Sequence, residues 1–125
     1  HYPLRRQRQM CIRDSLKPST RQRFIAIDFD YPEHAEEARI IAHESGVSAT
    51  FSDQLARIGQ NIRNLRSHGF DEGVSTRLLV YAGQLIVQGV LPRRACDAAI
   101  SKAVSDDVEV QRAIAELVDA VFPSD

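Results

Sequence analysis

The residues best suited to chemistry in this chain are its histidines, its two cysteines and two arginine-bearing segments. His43-Glu44 opens the HExxH pattern of a zinc peptidase. The second histidine would fall at position 47, which is Val47, so zinc would lack a ligand. His34, His43 and His68 read instead as surface positions of helices, and no metal site is expected. Cys11 and Cys96 lie 85 positions apart with no CxxC, and they supply neither a disulfide framework nor a zinc site. Cys96 falls on the apolar face of a helix and reads as a packed small hydrophobe, although the neighbouring Arg93 and Arg94 are of the kind that lowers a thiol pKa. Asp71-Glu72 and Asp106-Asp107 read as loop and cap acids. The chain has no glycine-rich phosphate loop and no GxSxG elbow.

The arginine-bearing segments are less bland. Leu16 to Phe24, LKPSTRQRF, carries Lys17, Arg21 and Arg23 straight into a predicted strand. Gly73 to Leu79, GVSTRLL, places Arg77 in the first turn of a predicted helix, where the helix dipole favours acids rather than bases. Two readings of Arg77 compete. One is an exposed arginine, or one paired locally with Asp71 or Glu72. The other is an anion clamp, in which the guanidinium, the Ser75 and Thr76 hydroxyls and the free N–H groups of the helix start converge on a phosphate.

These residues have to be placed by a small chain of 125 residues and 14.0 kDa, one domain or a piece of one. Apolar residues make up 43% and charged residues 26%, the balance of a soluble globular chain. The longest apolar run, Leu78 to Gly83, is far too short to span a bilayer. No secretory signal pattern is present, so a cytoplasmic location and no membrane insertion are expected. The net charge of −1 hides an asymmetry: residues 1–23 carry +6 and residues 24–125 carry −7. Residues 1–15, HYPLRRQRQMCIRDS, show no periodicity. MCIRDS at 10–15 resembles translated sequencing-adapter read-through, so this stretch is expected to be non-native or a disordered basic segment.

Beyond it, Ile25, Ile27 and Phe29 alternate in a strand over Phe24–Asp30. Five helices follow. The first covers about 33–45, with Glu33, Glu36 and Glu37 at its positive end and Gly46 after it. The second covers about 49–68, striped by Phe51, Leu55, Ile58, Ile62 and Leu65. The third covers about 75–88, with Ser75 as N-cap. Its apolar residues Leu78, Leu79, Val80, Tyr81, Ala82, Leu85, Ile86 and Val87 span most of the circumference, which predicts the central, most buried helix. The fourth covers about 92–103, with Ala95, Cys96, Ala99 and Ile100 inward. The fifth covers about 107–122, capped by Asp106 with Glu109 in capping-box fashion. The expected core comprises Phe51, Leu55, Ile58, Leu79, Ala82, Leu85, Ile86, Ile114, Leu117 and Val121. The fold class is therefore mainly α, a small helical bundle preceded by one strand whose pairing partners belong elsewhere.

Several segments together carry a resemblance: LKPSTRQRF at 16–24, AIDFDYP at 26–32, HESGV at 43–47, Arg63 to His68 with Gly69, EGVSTRLLVYAG at 72–83, PRRAC at 92–96 and SDDVEVQRA at 105–113. In this order they resemble the C-terminal part of the CbbQ/NirQ/NorQ family of AAA+ ATPases, in the MoxR branch. The resemblance implies that 16–31 is the last piece of the ATPase core, with its final strand, and that 32–125 is the helical lid domain. It implies that Arg23 is the arginine finger acting on the neighbouring subunit's nucleotide, with Arg21 as second choice. It implies that Arg77 is the sensor 2 arginine touching its own subunit's nucleotide, with Ser75 and Thr76 beside it.

The same resemblance implies ATP and Mg as cofactors of a longer parent and a homo-oligomeric ring, usually a hexamer. It also implies a von Willebrand factor A-domain partner and a client metabolic enzyme, Rubisco or a nitric oxide or nitrite reductase. The chain lacks GxxxxGK[ST], the acidic magnesium-binding strand and sensor 1, so no cofactor is expected on these 125 residues alone and no ATP hydrolysis by them. Two other readings of the residues stay open. A helical nucleic-acid-binding module with a basic arm is opposed by the acidic body and the scarcity of aromatics in the arm, and no nucleic-acid partner is expected. The other is an interaction module that works without ATP.

Overall fold

The computed structural model describes residues 30–65 and 73–123. Residues 1–15, Arg21, Arg23, the predicted strand up to Phe29, His68 and the Asp71-Glu72 pair lie outside the described residues. The chain divides into two compact units, His1–Asp30 and Tyr31–Asp125, and the described helices belong to the second.

The predicted helices are present with shifted ends. They are α1 at His34–Ser45, α2 at Ala49–Asn64, α3 at Thr76–Val87, α4 at Pro92–Cys96, α5 at Lys102–Val104 and α6 at Val108–Val121. A π-helical turn, Asp97–Ser101, joins α4 to α5, so 92–104 is one continuous but widened helix. Local chemistry explains most ends. Gly46 takes φ +85°, a left-handed stop that glycine adopts without a Cβ penalty, and its N–H bonds to Ala42 O at 2.9 Å. Ser48 caps α2 by accepting from Phe51 N–H. The cap of α6 is Asp107, not the expected Asp106. Ser105 Oγ accepts the Asp107 N–H at 3.0 Å, which moves the helix start one residue on, and Asp107 Oδ1 then accepts from Glu109 N–H at 2.9 Å. Glu109 turns its carboxylate to Arg112 at 3.3 Å, and no capping box forms.

The core differs from the expected one in where it is centred. Leu55, Ile58, Leu79, Ala82 and Ile114 are buried as expected, and Phe51, Ile86, Leu117 and Val121 pack partly buried against them. Ile41, Val74, Ile100, Val118 and Phe122 are among the residues that join them in the interior. The most enclosed helix is α2, which packs on α1, α3 and α6 and buries Ser52, Leu55, Ala56, Ile58, Gly59 and Ile62. Gly59 permits the close approach of α3: a Cβ there would stand 2.7 Å from Leu79 Cδ1. Helix α3 packs on α1, α2, α4 and the π-helical turn but leaves one stripe open, with Tyr81 46% and Val87 55% exposed, and Leu85 is only partly buried and outside the core cluster. An apolar stripe wider than the surface available to cover it left these residues out.

In the widened helix the buried residues step by five, Ala95 to Ile100 and Cys96 to Ser101, as an i→i+5 turn requires. Ala99, expected inward on a regular helix, is therefore only partly covered.

Leu79→Ala should lower the unfolding free energy by about 2–5 kcal/mol in urea titration, whereas Leu85→Ala should cost about 1 kcal/mol or less. Equal losses in the two variants would mean that α3 is packed differently.

Candidate anion site at the start of α3

Ser75 holds extended backbone angles (φ −77°, ψ 155°) before Thr76 opens α3, and its side chain makes no capping hydrogen bond. The first N–H groups of the helix are thus left without a side-chain acceptor. No acid lies in this first turn. Arg77 is exposed, and among the described residues no ion pair or hydrogen bond engages its guanidinium. A cation standing against the helix dipole with no compensating carboxylate is a group suited to an incoming anion. Thr76 behaves differently from Ser75 and Arg77. It turns inward, and its Oγ1 donates to Glu37 Oε2 at 2.7 Å.

Glu37 is the feature that sequence reasoning missed. It is fully buried and accepts two parallel hydrogen bonds from Arg63, Nη1 to Oε1 at 2.7 Å and Nη2 to Oε2 at 2.6 Å. Arg63 Nε donates to Val74 O at 3.0 Å, and its Cζ lies 3.8 Å from the centroid of the Tyr31 ring. Gly73 closes over that ring: a Cβ on it would meet Tyr31 Oη at 2.5 Å. One guanidinium therefore ties α1, α2 and the backbone that leads into α3. By its sequence alone, Glu37 is one of three acids near a helix start. The available signal is its spacing of four from Ile41, which puts it on the buried face of α1.

The other candidates resolve simply. Burial pushes the Cys96 thiol up to about 12, so it stays protonated. Arg93, expected near it, instead donates to Phe122 O at 2.7 Å and to Pro123 O, pairs with Asp119 at 3.3 Å, and so fastens the end of α6. His43 is exposed. Among the described residues no group of three His, Cys, Asp or Glu could hold a metal ion.

His34 Nε2 and Asp53 Oδ1 lie 2.6 Å apart and bridge α1 to α2, with Arg57 a further 3.2 Å contact to the same carboxylate. The hydrogen bond from His34 holds the Asp53 carboxyl below its usual 3.8. A depressed carboxylate pKa contributes stability that is complete above 3.8 and lost as pH falls through the lower folded value. Asp53→Asn should therefore flatten the part of the stability–pH curve below pH ~4. An unchanged acid limb in urea melts would show that the bridge contributes nothing.

A small helical domain that offers at a helix start an arginine unpaired among the described residues is the class defined by this fold and site. The chain belongs to the CbbQ/NirQ/NorQ C-terminal family, whose model matches residues 37–121 and so takes in Glu37, Arg63 and the Ser75–Arg77 segment. It is 46% identical to the protein CbbQ of Hydrogenophilus thermoluteolus over 114 residues, covering 91% of this chain and 42% of that protein. It is 47% identical to the denitrification regulatory protein NirQ of Pseudomonas aeruginosa over 104 residues, covering 83% of this chain and 40% of that protein. With the protein NorQ of Paracoccus denitrificans the identity is 46% over 111 residues, 89% of this chain and 41% of that protein. The chain thus spans about two fifths of the length of the curated relatives it matches. Among the described residues no helix is long and apolar enough to cross a membrane.

Proposed function

We propose that this chain is the lid-bearing C-terminal part of an AAA+ ATPase that remodels or activates a metabolic enzyme. The observation that carries the reading is Arg77: an exposed guanidinium with no partner among the described residues, in the first turn of α3, on a segment within the matched family region. A nucleotide phosphate fits the groups present there, namely the Arg77 guanidinium, the Ser75 hydroxyl and the N–H groups of the helix start. ATP, when bound, supplies a γ-phosphoryl group whose charge spreads over its oxygens during transfer. A positioned guanidinium stabilises that charge. Arg77 would act on the nucleotide of its own subunit. Arg23, or Arg21 in second place, would reach the nucleotide of the neighbouring subunit in a homo-oligomeric ring. Magnesium would come with the nucleotide; Glu37 is not available to it, because Arg63 and Thr76 occupy both of its oxygens.

Two kinds of client fit this reading. NirQ is called a denitrification regulatory protein, which suggests a nitric oxide or nitrite reductase. The likeness to CbbQ keeps Rubisco as the other client. A von Willebrand factor A-domain partner belongs to the same reading. The test is ATP turnover in the full-length ATPase carrying Arg77→Ala or Arg23→Ala. Loss in each variant is expected, and unchanged turnover in both overturns the proposal.

A further inference from the structure

Tyr31 is the first residue of the helical unit, and its ring is the platform on which the Arg63 guanidinium lies. The Arg63 side chain is 8% exposed and each of its three guanidinium nitrogens is engaged, Nε on Val74 O, Nη1 and Nη2 on Glu37, with one face on Tyr31. Glu37 in turn holds Thr76. Val74 and Thr76 flank Ser75, and Arg77 follows directly. The path from the entry of the unit to the anion site is therefore Tyr31, Arg63, then Val74 and Glu37 in parallel, then Thr76 and Arg77. Each link from Arg63 to Thr76 is a direct contact of an almost wholly buried group, so displacement of Tyr31 has few ways to be absorbed before it reaches the start of α3. A lysine at position 63 would keep the charge but could not span these partners, because its ammonium is a compact point donor without a planar fork.

We propose that Arg63 is a positioning residue that couples Tyr31 to Arg77, so that the placement of the chain entering the helical unit sets the guanidinium offered to phosphate. The inference rests on the reading of Arg77 as a phosphate contact. Coupling of this kind is reciprocal: phosphate held at Arg77 favours the stacked arrangement of Tyr31, and disturbing Tyr31 weakens phosphate binding.

The experiment measures ATP affinity and KM in the full-length ATPase for Tyr31→Leu, Tyr31→Phe, Arg63→Lys, Arg77→Ala and the Tyr31→Leu/Arg77→Ala double variant, with thermal melts to establish that each is folded. Tyr31→Leu should weaken ATP binding roughly two- to tenfold, the scale of one cation–π contact, and Tyr31→Phe, which keeps the ring, should restore it. Arg63→Lys should weaken binding at least as much. In the Arg77→Ala background Tyr31→Leu should have no further effect, because Tyr31 acts only through Arg77. Independent, multiplying losses would make Tyr31 and Arg63 merely structural and overturn the coupling, as would wild-type affinity in Tyr31→Leu while Arg77→Ala binds weakly. Wild-type affinity in Arg77→Ala itself would instead remove the phosphate reading, and the coupling with it.

Discussion

On the proposed function, rings assembled from Arg23→Ala subunits and Walker-A-dead subunits of the full-length protein should regain part of their ATP turnover, while rings of Arg77→Ala and Walker-A-dead subunits should regain none. Each single variant should first lose turnover by roughly 10³-fold or more, the scale associated with a guanidinium that stabilises phosphoryl transfer. The mixtures then separate the two roles. An arginine finger serves the neighbouring site, so a Walker-A-dead subunit can lend its intact finger to the intact site of an Arg23→Ala neighbour. On the proposed reading Arg77 serves the site of its own subunit, so each defect would spoil the site of the subunit that carries it and no interface would be whole. Co-purification of differently tagged subunits must show mixed rings. The opposite pattern, rescue with Arg77→Ala and none with Arg23→Ala, would reverse the assignment. The part of this prediction that rests on geometry is Arg77, because it is exposed and without a partner among the described residues while Thr76 beside it is committed inward.

The second large effect concerns folding. Glu37→Ala and Arg63→Ala should each destabilise the helical unit by about 3–5 kcal/mol in urea titration of the 125-residue chain, because each leaves a buried ion without its partner. Domains of this size have only about 5–15 kcal/mol in hand, so either variant should stand near the edge of unfolding at 37 °C. Replacing both residues together, with Glu37→Leu and Arg63→Met, should cost much less, since two apolar side chains leave no charge to solvate. A loss below ~1 kcal/mol in each single variant would mean that water reaches the pair and that the network is not the tie between α1, α2 and α3.

The order and approximate extent of the helices were legible because their signals are local. Gly46, Ser75 and Pro92 mark ends through backbone angles that depend on a few neighbouring residues. The stripe of Leu55, Ile58 and Ile62 marks the buried face of α2 in the same way. The one-residue difference at Asp106 arises where two adjacent aspartates could each cap, and the Ser105 hydroxyl decides between them.

By itself, then, the sequence determined a helical body, the family of the chain and Arg77 as a cation at odds with its helix dipole. Tertiary structure decided how much of each apolar face is covered. It made α2 the most enclosed helix, where Gly59 lets Leu79 approach, and left Tyr81 of α3 46% exposed. It also brought together Tyr31, Glu37, Arg63 and Thr76, which are separated by up to 45 positions. No periodicity or spacing encodes that meeting. An ion pair between distant residues leaves no local pattern, and its worth depends on exclusion of water by the whole packed core.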